Sequence, residues 1–205
     1  MTETRVIEAT NADALTSASQ AVMNGKLVAF ATDTVYGLGV SAFDANAIER
    51  LFEVKKRPHE KAIPVLLADA YALEQVARVE ADQIWQLADV FWPGPLTLVL
   101  PKVQGLPANL SEEATIGVRV PDHPFAQKLL ERVGPMAVSS ANHSGAATTR
   151  TAREVLAQLD GKIDLLIDAG ISPGGKPSTV AAFENGEIVI LREGPLSKAD
   201  LLKAF

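Results

Sequence analysis

Two pairs of side chains, each spaced two residues apart, carry the most chemically suggestive groups of this chain. In EVKKRPHEK, residues 53–61, Lys55 and Arg57 sit in the dense basic cluster, where a helix must stop because Pro58 biases Arg57 towards extended backbone. On extended backbone, residues two apart point the same way. An ammonium beside a guanidinium suits phosphate, the guanidinium as a planar fork and the lysine as a movable point charge. A basic helix end that answers the helix dipole accounts equally for the same residues. In MAVSSANHSG, residues 136–145, an apolar strand ends in Ser140 and Asn142, again on one side if extended, before Ser144 and Gly145 turn the chain. Small hydroxyls and an amide beyond a strand's carboxyl end are where open α/β sheets take ligands, though serine and asparagine are also common turn formers.

A third pattern, TDTVYGLG at 32–39, follows the apolar run LVAFA and sets Thr32, Thr34 and Tyr36 at alternate positions. If this stretch is extended, the three hydroxyls share one surface, as a binding wall or as an ordinary polar strand face. Gly37 and Gly39 would close the strand with backbone able to take positive φ or approach a ligand closely. Two motifs point elsewhere and fail. GISPGGKP, residues 170–177, has the GxxxxGK spacing, but Pro177 stands where a phosphate-binding loop needs the hydroxyl that holds magnesium. His59, His123 and His143 form no metal-ligand spacing, and no GxSxG elbow accompanies His143 and Ser144.

The elements that must position these groups alternate along the chain. Periodicity predicts helices over 11–24, 44–56, 69–78, 82–91, 123–133 and 151–159, with a short one at the end of the chain. Strands are predicted over 27–32, 62–68, 97–101, 115–121, 136–140 and 165–170. Residues 178–194 read as a hairpin turning at Asn185-Gly186. Crossovers plus a hairpin give an α/β fold, one domain over residues 1–205 with a twisted mixed parallel/antiparallel sheet flanked by helices. Residues 102–114 and 146–151 are candidate covers, being polar or small and next to the binding motifs.

Composition narrows the function classes. There is no cysteine, which excludes disulfides, thiolate metal sites and cysteine nucleophiles. The polar N-terminal stretch has no apolar signal core and no run approaches membrane-span length, so a cytoplasmic protein is expected. A net charge of −6 argues against a surface built for polyanions and confines phosphate contacts to local sites.

Taken in order, TDTVYGLG, KKRP, FWPGPLTLVL (91–100), TIGVRVPDHP (115–124), SSANHSG, STV (178–180) and LREG (191–194) resemble the YrdC/TsaC threonylcarbamoyl-AMP synthases. The resemblance runs from about residue 10 to 195, and the length is similar to the short bacterial form. It implies a YrdC/RibB-like fold and a reaction in which L-threonine, bicarbonate and ATP give threonylcarbamoyl-adenylate and pyrophosphate. The product would serve modification of the adenosine next to the tRNA anticodon. The resemblance implies catalytic roles for Lys55, Arg57, Ser140 and Asn142, the family's Lys-x-Arg and Ser-x-Asn tetrad. For ATP it implies Arg57, Lys61, Thr115, Asn142, Ser144 and Arg192; for threonine, Thr32, Thr34, Tyr36, Arg119, Ser140 and Ser178. No protein metal site is implied, magnesium being carried by the triphosphate. The implied partners are the substrates and the tRNA threonylcarbamoyl transferase machinery, with local, weak tRNA contact at most and no membrane. Ala31, Asp33, Lys61-Ala62 and Leu66 depart from residues frequent in the family or its longer members. Two other functions fit parts of the pattern: a carbamoyl-adenylate module of hydrogenase maturation type, and a double-stranded RNA-binding module without catalysis.

Overall fold

In the computed structural model, which describes residues 3–184 and 186–205, ten strands join one mixed sheet. In chain order they are β1 (Arg5–Glu8), β2 (Val28–Phe30), β3 (Gly37–Ser41), β4 (Val65–Leu66), β5 (Leu96–Pro101), β6 (Thr115–Arg119), β7 (Met136–Ser140), β8 (Leu165–Asp168), β9 (Thr179–Glu184) and β10 (Glu187–Arg192). Their order across the sheet is β1-β8-β2-β3-β7-β4-β6-β5-β9-β10. β1 with β8, β8 with β2, β4 with β6 and β5 with β9 run parallel, and the remaining neighbours are antiparallel.

The pleat explains why there are two cores. In β2, Val28 and Phe30 face one side and Ala29 the other. The Val28 and Phe30 side packs against α1 (Ala14–Met23) and α4 (Pro124–Val133). The other side packs against α2 (Ala45–Lys55), α3 (Asp82–Phe91) and α5 (Ala152–Leu159). The short α6 (Lys198–Leu201) follows β10.

α2 shows the local logic. Asp44 caps it by accepting from the Ala47 amide at 3.0 Å, and Ile48, Leu51 and Phe52 bury one face. The helix stops because Lys56 turns left-handed, φ 50°, letting the Lys56 and Arg57 amides close on the carbonyls of Glu53 and Phe52. A non-glycine residue there costs about 1–2 kcal/mol. Each buried side chain returns roughly 1.5–3 kcal/mol, so packing wins.

Several expectations are corrected. The strand predicted over 27–32 ends at Phe30, that over 62–68 shrinks to two residues, and the helix at 69–78 is a 3-10 segment, Ala70–Gln75, capped by Asp69. β1 and β3 were not anticipated. Gly37 and Gly39 do not close a strand; they lie inside β3 without positive φ. A Cβ on either would come within 2.8 Å of Val138 on β7, so their smallness makes room for a neighbour. The predicted hairpin forms with Glu184 opposite Glu187, while Asn185 of its predicted turn lies outside the described residues.

Candidate active site

Beyond β2 the chain bends at residues 33–35. The Thr32 hydroxyl closes the bend, donating to the Val35 carbonyl at 2.7 Å and accepting from the Thr34 amide at 3.2 Å. Its Oγ1 lies 3.0 Å from that of Thr34, which accepts from the Arg119 guanidinium at 2.9 Å. Each hydroxyl has one proton, so the bonds run in one direction: Arg119 to Thr34, Thr34 to Thr32, Thr32 to the Val35 carbonyl. The two threonines therefore meet through a bend, and the expected shared strand face is corrected. Tyr36 lines the same cavity as the two threonines, but its hydroxyl is engaged elsewhere. Its hydroxyl donates to the Gly170 carbonyl at 2.8 Å and accepts from the Ala169 amide at 3.1 Å, and burial first pushes its pKa up to about 12. It acts as a neutral strut to the end of β8.

Arg119 ends β6 and is 5% exposed. It donates to Asp33 at 2.5 Å and to the Gly94 carbonyl at 2.8 Å, besides Thr34. Three of its five N–H groups are thus engaged, and two remain for a ligand. Ser178, just before β9, shares a 2.8 Å hydrogen bond with Thr97 of β5 and accepts from Arg192 at 3.1 Å.

Thr32, Thr34, Arg119, Ser140, Ser178 and Arg192 line a cavity of about 130 Å³. A neighbouring cavity of about 220 Å³ shares Arg57, Pro64, Thr97 and Arg192 with it and adds Thr115 and Glu113. Burial lowers the pKa of Arg57, Arg119 and Arg192, and Arg192 lowers the other two further. Three cations around adjacent cavities, Arg192 repelling the other two and Asp33 pairing only Arg119, make a place that gains energy by taking an anion. A larger cavity, about 670 Å³, lies elsewhere, against Glu8, His123, Lys128 and Asp168, and contains none of the residues expected to bind threonine or ATP.

Other expected residues support these walls from outside. Lys55 is 1% exposed, and its Nζ donates to the Ser140 carbonyl and, at 2.6 Å, to that of Asn142. It fastens the end of α2 to the end of β7, while Arg57 lines both cavities. The extended exit predicted after Lys55 is replaced by the left-handed turn at Lys56. Asn142 is buried, its amide donating to the carbonyls of His143 and Ala146, and its Oδ1 is buried without a partner. The Ser144 amide donates to the Lys55 carbonyl at 2.8 Å. Lys61 is exposed, and its carbonyl accepts from Arg57 at 2.7 Å. Sequence reasoning gave no role to Asp33, Gly94 or Thr97. Their signal was membership of the TDTVYGLG and FWPGPLTLVL stretches, but each acts through a partner distant in the chain. Among the described residues no three His, Cys, Asp or Glu side chains gather as metal ligands.

Burial first, then the Arg57 guanidinium, lower the Lys55 ammonium from 10.5 to about 7. Between those values the folded chain binds fewer protons than the unfolded one, so stability rises with pH across that window. A neutral amine keeps two N–H donors, enough for both carbonyls, and the strut survives deprotonation. The melting temperature of the wild type minus that of Lys55→Met is therefore expected to climb from about pH 7 to about pH 10. A flat difference would refute the assignment.

An open mixed sheet with an arginine-ringed, hydroxyl-lined cleft defines an α/β domain with a cationic cleft. More particularly, the chain belongs to the Sua5/YciO/YrdC family, described as telomere recombination, whose model matches residues 20–194. It is 41% identical over 186 residues to the threonylcarbamoyl-AMP synthase of Pyrococcus abyssi, covering 90% of this chain and 55% of that one. It is 34% identical over 179 residues to the threonylcarbamoyl-AMP synthase of Vibrio vulnificus, covering 85% of this chain and 95% of that one. Among solved structures, P. abyssi Sua5 complexed with L-threonine superposes with a TM-score of 0.93 at 38% identity, covering 99% of this chain and 61% of that one.

Proposed function

We propose that the chain is a threonylcarbamoyl-AMP synthase, a nucleotidyltransferase that joins L-threonine, bicarbonate and ATP. What carries this reading is the pair of adjacent cavities, one small and hydroxyl-lined, the other larger, with Arg57 and Arg192 in the wall they share. The small cavity takes threonine, its carboxylate on the two free N–H groups of Arg119. The larger one takes ATP beside Thr115 and Arg192, with magnesium brought by the triphosphate.

In the reaction the threonine amine, freed of a proton, adds to bicarbonate-derived carbon dioxide and becomes a carbamate. A carbamate oxygen attacks the α-phosphorus, forming the new P–O bond as the bond to pyrophosphate breaks. Both reactants are anionic, so the work of the chain is to align them and offset their charge, with Arg57 and Arg192 at the shared wall. Lys55 and Asn142 contribute by holding Ser140 in the threonine cavity's wall. The adenylate product is handed on for modification of tRNA beside the anticodon, in the cytoplasm. No helix of the described residues is long and apolar enough to cross a membrane.

The test is pyrophosphate release with each substrate omitted in turn. Release that requires threonine, bicarbonate and ATP together is expected. Release indifferent to threonine, or none, would sink the reading and leave an RNA-binding module to be examined.

A further inference from the structure

The GxxxxGK look-alike at 170–177 is neither a phosphate loop nor the start of a helix, since β9 follows it. It is bonded instead to the bend that carries the two threonines. The Gly174 amide donates to the Asp33 carbonyl at 2.9 Å, and the Gly175 amide to the Thr34 carbonyl at 2.7 Å. The contact is so close that a Cβ on Gly174 would stand 2.7 Å from the Asp33 carbonyl oxygen and 3.1 Å from the Thr34 Cα. Both obstacles are backbone, which cannot swing aside as a side-chain end can. From the other side, Arg150 braces the segment. Its Nε donates to the Ser172 carbonyl at 3.3 Å and lies 3.0 Å from where a Gly175 Cβ would be. The segment then runs through Pro177 into Ser178, and both line the smaller cavity.

We propose that residues 172–175 form a strap that sets the position of Thr34 in the amino-acid cavity, with Gly174 as a positioning residue for the threonine substrate. This rests on the reading of the cleft given above. Any side chain at 174 pushes the Asp33–Thr34 backbone away from the strap, and with it the hydroxyl that Arg119 holds at 2.9 Å and Thr32 at 3.0 Å. Thr34, which the strap places, lines the smaller cavity and not the nucleotide cavity. The effect therefore belongs to threonine alone.

Calorimetric titration of L-threonine and steady-state pyrophosphate release, run on wild type, Gly174→Ala, Arg150→Ala and Gly134→Ala, test this. Gly134, at φ 77° beyond α4 with open space around it, is a control for lost stability without intrusion. Misplacing a binding group by around 1 Å can cost roughly a hundredfold, so Gly174→Ala is expected to weaken threonine binding at least about tenfold while the KM for ATP stays within about twofold. Arg150→Ala, which loosens the brace and inserts nothing, is expected to weaken threonine binding about threefold. Gly134→Ala should melt earlier and bind threonine as the wild type does. A folded Gly174→Ala with unaltered threonine affinity overturns the proposal. If that variant does not fold, an unaltered Arg150→Ala overturns it. A wild type that takes up no threonine defeats the synthase reading itself, and the strap's role falls with it.

Discussion

Replacing Arg119 by alanine is expected to weaken threonine binding about ten- to hundredfold, the equivalent of roughly 1.5–3 kcal/mol for hydrogen bonds to a charged group. It should also lower the melting temperature markedly. The two losses share a cause. The guanidinium is 5% exposed and holds Asp33, the Gly94 carbonyl and Thr34 at once. Its removal leaves the Asp33 carboxylate, with 13% side-chain exposure, paired only with the Asp122 amide at 3.1 Å. Breaking a buried pair by deleting one partner costs about 3–5 kcal/mol. Asp33→Asn separates the effects, because it removes the charge that Arg119 neutralises and leaves the guanidinium in place to meet a carboxylate. That variant should keep most threonine affinity. Titration at a temperature where every variant is folded decides the matter. Wild-type affinity in folded Arg119→Ala would show that the amino acid's carboxylate is held elsewhere.

The helices were legible in the sequence because their causes are local: an Asp44 cap before a 3.6-residue apolar period in α2, and Pro124 after His123 at the start of α4. β3 was not, because Gly-Leu-Gly reads as a turn until Val138 is known to fill the space above both glycines. The site residues were legible as types but not as an arrangement. Thr32 and Thr34 were expected together on a strand face and come together through a bend; Tyr36, on the same period, joins them in the cavity wall but spends its hydroxyl on the end of β8. Lys55 and Arg57 were expected side by side, and the left-handed Lys56 sends one to the end of β7 and the other into the cleft. In each case a single backbone torsion or a contact with a remote segment decides direction. Two-residue spacing carries no information about either. The bond between Arg119 and Asp33 spans 86 positions, which is why Asp33 was given no role.

The same geometry makes Arg57→Lys a severe change. Arg57 already donates Nε–H to the Lys61 carbonyl at 2.7 Å and an Nη2–H to that of Ala62 at 2.9 Å. Three N–H groups are left to face the cleft. A lysine has one nitrogen, which cannot hold two carbonyls and meet a phosphate together, so the segment at 61–62 loosens as the fork is lost. A fall of about ten- to hundredfold in kcat/KM is expected, roughly 1.5–3 kcal/mol. Stability should move differently. Arg57 and Arg192 repel across the shared wall, as the lowered Arg57 pKa records after burial itself. Arg57→Met removes that repulsion from the ligand-free protein, so its melting temperature should suffer less than its activity. Lys56 supplies the comparison, being exposed, left-handed and outside both cavities. Lys56→Ala should cost less than about threefold in threonine-dependent pyrophosphate release. If lysine serves at position 57 as well as arginine, the cluster only completes the end of α2. Equal damage at 56 and 57 would mean that charge near the cleft matters and the direction of the fork does not.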